Sequence, residues 1–108
     1  MNGHSPPRIR VLLADDHYLM REGVRFMLDS APDIQLVASV DDGPAAVEAF
    51  KAMIPDVTLM DLRMPGGDGL SAIAAIRRYA PCARFVVLST YSGDAVIKEA
   101  RKAGASAY

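Results

Sequence analysis

Residues 9–16 read IRVLLADD, and they carry the strongest indication of the fold. Its apolar core, residues 11–14, shows no alternation of polar and apolar side chains, which is typical of a strand buried on both faces of a sheet. Two carboxylates, Asp15 and Asp16, follow it at once. Because such a strand needs helices packed on each side, the stretch predicts an α/β protein with a parallel sheet.

The rest of the chain repeats the pattern of apolar strand followed by helix. Further strands are predicted at residues 34–40, 57–60 and 85–88, with the start of a fifth at 105–108. Helices are predicted at residues 18–30, from Gly43-Pro44 onward, after Asp68 as N-cap, and at 93–103. The alternation predicts a flavodoxin-like, doubly wound parallel sheet of five strands in the order 2-1-3-4-5, truncated in or after strand 5. We expect residues 1–7 to be a flexible lead-in and residues 8–108 to form the domain.

Apolar side chains at helical spacing predict the faces that the first two helices bury. They are Met20, Val24, Met27 and Leu28 in the first helix, and Val47, Phe50 and Ile54 in the second. We interpret the methionines as packing residues and not as a binding surface. These are Met20, Met27, Met53, Met60 and Met64.

Composition excludes several classes of function. The 108 residues are 51% hydrophobic and 23% charged, which is ordinary for one globular domain. A net charge of −1 with scattered basic residues does not indicate a surface that binds nucleic acid. No segment approaches the roughly 20 apolar residues that span a bilayer, so no membrane role is expected. The single cysteine, Cys82, cannot form an internal disulfide and fits a reducing cytoplasm.

Polar side chains follow three of the predicted strands. Asp15 and Asp16 follow the first strand, Asp61 ends the third, and Ser89 and Thr90 end the fourth. Because the carboxyl ends of parallel strands share one edge of a sheet, we expect these groups to converge there. Clustered carboxylates need a cation, and oxygen ligands select Mg²⁺ or Mn²⁺. An aspartate beside such an ion can act as a nucleophile that forms an aspartyl phosphate.

At these positions the chain resembles the receiver domain of bacterial two-component response regulators, and more narrowly the NarL/FixJ subfamily with LuxR-type output domains. Five stretches in the right order carry the resemblance, which covers about residues 8–108. They are VLLADDH at 11–17, REGVR at 21–25, MDLRMPGGDG at 60–69, VLST at 87–90 and AGASAY at 103–108. The resemblance implies a CheY-like fold.

The resemblance also implies roles for individual residues. Asp61 would accept the phosphoryl group from a sensor histidine kinase. Asp16 and Asp61 would bind Mg²⁺ directly, Arg63 would do so through its backbone carbonyl, and Asp15 through a water molecule. Ser89 would be the switch hydroxyl that moves toward the phosphoryl group. Thr90 would tune access to the site, and Tyr108 would be the switch aromatic whose ring position follows Ser89. Such a protein would be cytoplasmic, would dimerise when phosphorylated in its full-length form, and would bind DNA through a C-terminal helix-turn-helix domain.

One family feature falls beyond the sequence. The family carries a lysine at the end of the fifth strand that pairs with the acceptor aspartate, and Tyr108 stops a few residues short of it. Neither Lys98 nor Lys102 can replace it, because both lie in the predicted fourth helix. We therefore expect the fifth helix, the output domain and this lysine to follow a truncated end.

Two rival functions are each disfavoured by particular residues of the sequence. A non-phosphorylated pseudo-receiver that serves in dimerisation is disfavoured by the intact Asp15, Asp16, Asp61 and Ser89. A haloacid-dehalogenase-like phosphatase would need an aspartate two residues after its nucleophile, where this chain has Arg63.

We interpret His17 as a residue of the loop–helix junction, and not as a phosphorelay or metal residue.

Overall fold

The computed structural model describes residues 7–64 and 69–88 of the chain. The elements in chain order are β1 (Ile9–Ala14), α1 (Tyr18–Asp29), β2 (Ile34–Val40), α2 (Gly43–Met53), β3 (Val57–Asp61), α3 (Gly69–Tyr79) and β4 (Phe85–Leu88). The four strands form one parallel sheet in the order β2-β1-β3-β4, which confirms the predicted fold class. The predicted fifth strand, the helix at 93–103 and the N-terminal lead-in up to residue 6 lie outside the described residues.

The register of the central strands places the carboxylates side by side. Ala14 at the end of β1 pairs with Met60 of β3. Asp15 and Asp61 are the next residues on these neighbouring parallel strands, so they leave the sheet at the same edge. Both strands lie in the middle of the sheet, where their side chains are shielded on each face.

A local connection fixes where β3 starts. The backbone N–H of Arg10 donates to Asp56 Oδ2 at 2.8 Å, and Asp56 N–H donates to the Arg10 carbonyl at 2.8 Å. The Arg10 guanidinium donates to the carbonyl of Ile54 at 3.0 Å. These bonds hold the α2–β3 connection against β1 just before the two strands pair, so they help to set the register that brings Asp61 beside Asp15.

The main core lies between the sheet and helices α2 and α3. Leu12 of β1, Phe50 of α2, Ile73 of α3 and Phe85 of β4 are buried in one cluster. The alternation of a strand turns Leu13 to the opposite face, where it is also fully buried. The unbroken apolar run of β1 is therefore buried on both sides, as its sequence predicts.

Helix α1 buries less of its apolar stripe than the sequence predicts. Val24 is buried, but Met20 is 46% exposed and Met27 is 64% exposed. Both methionines line an open pocket together with Val87 and Leu88 of β4. The prediction that Met20 and Met27 are packing residues is therefore wrong, whereas Met60 and Met64 are buried as predicted.

The prediction that Ile54 belongs to the buried face of α2 is also wrong. The helix ends at Met53, and Ile54 adopts a left-handed conformation with φ 44° and ψ 65°. This turn takes its side chain off the helical period and leaves it 53% exposed. At the other end, Asp42 caps α2 by accepting a hydrogen bond from Ala45 N–H, and Pro44 lies in the first turn as predicted.

Within residues 7–64 and 69–88, no helix has both the length and the apolar character that crossing a bilayer requires.

Candidate functional site

The carboxyl edge of the sheet gathers three aspartates and one histidine. One ligand atom from each of Asp15, Asp16, His17 and Asp61 lies within 4.8 Å of all the others. These four residues line a pocket of about 770 Å³, together with Arg63 and the exposed methionines of α1. The structure thus brings together the three carboxylates that the sequence places after β1 and at the end of β3.

The same local device orients the two buried aspartates. Asp15 Oδ1 accepts a hydrogen bond from the backbone N–H of His17 at 2.8 Å. Asp61 Oδ1 accepts one from the backbone N–H of Arg63 at 3.0 Å. In both cases an aspartate binds the backbone two residues further on, which is the geometry of an Asx turn. Each carboxylate therefore has one oxygen fixed by the loop that follows its strand.

The second oxygen of Asp61 is the unusual atom of the site. Asp61 is 5% exposed, and its Oδ2 is buried without a hydrogen-bond partner among the described residues. Burial raises the pKa of Asp61, and the nearby Asp15 and Asp16 raise it further, while the Arg63 N–H opposes them. A buried carboxylate in this position is costly to ionise unless a cation compensates it.

Asp15 is held by its backbone as well as by its side chain. Its N–H donates to the Val40 carbonyl at 3.0 Å, which extends the β1–β2 pairing by one step. Its carbonyl accepts a hydrogen bond from the Arg21 guanidinium at 2.8 Å. Asp15 is buried and Asp16 is exposed, so one acid of the pair faces the pocket interior and the other its rim.

His17 joins the cluster, which the sequence interpretation did not anticipate. It precedes α1 as the N-cap residue, and its Nδ1 lies 3.1 Å from Asp15 Oδ1, 3.0 Å from Asp16 Oδ1 and 3.9 Å from Asp61 Oδ2. The hydrogen bond with Asp15 and then the charge of Asp16 raise the pKa of His17. Its position directly after the acid pair was the available signal.

Gly69 is a second residue whose importance sequence reasoning missed. Its N–H donates to the Leu62 carbonyl at 3.1 Å, which seats the start of α3 against the loop after β3. A Cβ atom at this position would lie 2.2 Å from the backbone oxygen of Asp61 and 2.7 Å from Leu62 Cα. Only glycine allows this close approach, so Gly69 supports the backbone of Asp61 directly.

The other predicted site residues divide between the described and undescribed parts of the chain. Arg63 lines the pocket, and its backbone N–H is used by Asp61. Ser89, Thr90 and Tyr108 lie outside the described residues, and so does Asp68 as the predicted cap of α3.

The donor set fits a hard divalent cation. Three carboxylates supply oxygen ligands, and Mg²⁺ is commonly held by one or two carboxylates while it keeps several waters. One of these oxygens, Asp61 Oδ2, is a buried acceptor without a hydrogen-bond partner among the described residues, and a cation would satisfy it. The residues present are thus suited to binding Mg²⁺.

Comparison with known proteins identifies the family to which the chain is similar. The family described as the response regulator receiver domain matches residues 11–108. The transcriptional regulatory protein NarL of Mycobacterium tuberculosis is 40% identical over 108 residues, covering 100% of this chain and 50% of NarL. The nitrate/nitrite response regulator NarL of Escherichia coli K12 is 36% identical over 98 residues, covering 91% of this chain and 45% of that protein. The chain therefore spans about half the length of the curated relatives it matches.

The fold agrees with a solved receiver structure. The signal receiver domain of NarL from Mycobacterium tuberculosis superimposes with a TM-score of 0.90 at 41% identity, covering 94% of this chain and 82% of that chain. The family match covers most of the sequence, and the strand order and clustered carboxylates agree with it. The chain belongs to the response regulator receiver domain family.

Proposed function

We propose that this receiver accepts a phosphoryl group on Asp61 from a phosphohistidine of a sensor histidine kinase, in a Mg²⁺-dependent reaction. The observation that carries the proposal is Asp61 Oδ2, a buried carboxylate oxygen without a hydrogen-bond partner among the described residues. The oxygen lies in a pocket of acids, where a cation and a phosphoryl group can supply the missing interactions. Asp61 Oδ1 stays fixed by the Arg63 N–H, which orients the other oxygen.

The reaction is a displacement at phosphorus. Asp61 Oδ2 forms the new O–P bond as the P–N bond to the kinase histidine breaks, and the imidazole leaves with the electron pair. Asp16 and Asp61 would hold Mg²⁺ directly, Asp15 would hold it through water, and the Arg63 carbonyl would complete the protein ligands. The ion, for which Mn²⁺ is an alternative, would offset the negative charge that gathers on the transferring group.

Three further residues take part in the proposed switch. Ser89 donates its hydroxyl to a phosphoryl oxygen, Thr90 tunes access to the aspartyl phosphate, and Tyr108 follows the position of Ser89. These roles rest on the resemblance of residues 87–90 and 103–108 to the family. A switch of this kind is a two-state element biased by a local change of charge.

The signal is proposed to reach DNA through a separate output domain. The NarL of Mycobacterium tuberculosis, of which this chain covers half, is named as a transcriptional regulatory protein. The full-length protein would bind DNA through a C-terminal helix-turn-helix domain, would dimerise on phosphorylation, and would act in the cytoplasm. The receiver is a phosphoacceptor and not a turnover enzyme, apart from its own phosphorylation and dephosphorylation.

Uptake of radiolabelled phosphate from acetyl phosphate or phosphoramidate tests the assignment. The wild-type chain should incorporate label with Mg²⁺ and lose that ability in EDTA, and Asp61→Asn should incorporate none. Asp33→Asn is a matched control, because Asp33 is an exposed residue before β2 and does not line the pocket. Labelling of Asp61→Asn at the wild-type level, or labelling that ignores Mg²⁺, would show the assignment to be wrong.

A further inference from the structure

His17 brings a nitrogen donor into the acidic pocket. Its Nδ1 lies 3.0 Å from Asp16 Oδ1 and 3.1 Å from Asp15 Oδ1, while the side chain as a whole is 70% exposed. The ring is not used to cap α1, because His17 forms no side-chain capping hydrogen bond there. The imidazole nitrogen is thus directed toward the carboxylates, at the rim of the pocket.

The spacing of these atoms suits ligands around one small ion. Ligand atoms bound about 2.1 Å from a divalent ion lie roughly 3.0–3.4 Å apart when they are neighbours in its coordination sphere. The two short distances from Nδ1 match that spacing, and Asp61 Oδ2 lies 3.9 Å from the same nitrogen. Asp61 Oδ2 also supplies a second sign of a missing ligand, since it is a buried oxygen without a partner among the described residues.

From this geometry we infer that His17 Nδ1 is a ligand for transition-metal ions, so that the pocket binds Zn²⁺ more tightly than the Mg²⁺ of the proposed phosphorylation. The inference rests on the proposed function only in placing the ion between Asp15, Asp16 and Asp61. Imidazole nitrogen suits zinc and its neighbours, whereas Mg²⁺ takes oxygen ligands and keeps its waters. Zn²⁺ therefore gains a ligand from His17 that Mg²⁺ does not use.

A hydrogen bond from Nδ1–H to the two carboxylates is the competing account of the same distances. In that account His17 acts only as a partner of Asp15 and Asp16, and removing it changes the affinity for every divalent ion by the same factor. In our account the affinities diverge, because only the ion that uses nitrogen loses a ligand.

Calorimetric titration of Zn²⁺ and Mg²⁺ into the full chain separates the two accounts. The titrations use a Cys82→Ser background, because Cys82 is an exposed free cysteine and cysteine thiolates are zinc ligands. His17→Asn should weaken Zn²⁺ binding on the order of 10-fold or more and leave Mg²⁺ binding within about 2-fold. His4→Asn is the matched control, since His4 is the only other histidine of the sequence, and it should change neither affinity.

Nitrogen-15 spectra of histidine-labelled protein give a direct second readout. Adding Zn²⁺ should shift the Nδ1 resonance of His17, and adding Mg²⁺ should not shift it toward the metal-bound position. Equal changes in the two affinities, or an unshifted Nδ1 resonance with Zn²⁺ bound, would overturn the inference. Either result would leave the proposed function intact provided that Mg²⁺-dependent labelling of Asp61 persists, and loss of that labelling in the wild-type chain would refute the proposed function instead.

Discussion

Replacing Gly69 by alanine should damage both the stability of the fold and the proposed phosphorylation. The added Cβ atom would lie 2.2 Å from the Asp61 carbonyl oxygen, whereas ordinary contact begins at 3.4 Å. The Asp61 backbone and the start of α3 must therefore separate by more than an ångström. No rotamer change can relieve the contact, because the atoms involved are a Cβ and the backbone.

The expected magnitude follows from this geometry. Overpacking typically costs 1–3 kcal/mol, and a clash with backbone belongs at the upper end, so we expect a loss of about 3 kcal/mol in the free energy of unfolding. A misplacement of about 1 Å at a reacting group can lower a rate on the order of 100-fold. Urea denaturation measures the first effect, and the rate of label incorporation from acetyl phosphate with Mg²⁺ measures the second.

Gly23→Ala is the matched control for this experiment. Gly23 lies within α1, and a Cβ there would have no atom within 4 Å. Alanine should raise the free energy of unfolding by about 0.5–1 kcal/mol, because glycine is unfavourable inside a helix. The reasoning would be refuted if Gly69→Ala were as stable as the wild type and accepted label at the same rate.

Three further substitutions test other parts of the argument. Asp61→Asn should raise the free energy of unfolding of the metal-free protein by about 1–3 kcal/mol at neutral pH, because it removes a buried charge whose Oδ2 has no hydrogen-bond partner among the described residues. The folded-state pKa of Asp61 is raised from its ordinary value of 3.8, so wild-type stability falls as the pH rises from 3.8 through that folded-state pKa. The excess in free energy of unfolding of Asp61→Asn over the wild type, measured by urea denaturation, should therefore disappear below about pH 4 and shrink when Mg²⁺ is added. An excess that depends on neither pH nor Mg²⁺ would contradict the explanation by a buried charge. Ile54→Asn should raise the melting temperature, because a residue other than glycine in the left-handed conformation costs about 1–2 kcal/mol and asparagine tolerates it better; an unchanged or lower melting temperature would argue against strain at φ 44°. Asp42→Ala should lower the free energy of unfolding by about 1 kcal/mol through loss of the cap on Ala45 N–H, while Asp41→Ala beside it serves as the control in the same urea series.

The sheet and the placement of its carboxylates could be predicted because local signals agree with the tertiary structure. The uninterrupted apolar run of β1 requires burial on both faces, and the described structure buries it so. Parallel pairing then forces the residues after β1 and at the end of β3 onto one edge. The meeting of Asp15 and Asp61 follows from these two facts without knowledge of any side-chain geometry.

Other features depend on contacts that periodicity does not encode. Ile54 continues the apolar spacing of α2, but a left-handed backbone at that residue turns it outward. Met20 and Met27 occupy helical positions that face the open pocket and not the core. Gly69 is one of three glycines in the sequence GGDG at 66–69, and its role becomes visible only from the 2.2 Å between the Asp61 carbonyl oxygen and a Cβ placed at this position.

The way the two buried aspartates are held indicates how a change at the site can reach the rest of the fold. Asp61 Oδ1 is bonded to the backbone of Arg63, and Asp15 Oδ1 to the backbone of His17 at the start of α1. A cation or a phosphoryl group that changes the charge of either carboxylate also changes the strength of these hydrogen bonds. Occupancy of the pocket would therefore be coupled through single hydrogen bonds to the loop after β3 and to the N-cap of α1. A pocket built on free side chains alone would bind the same ligands without this link to the backbone.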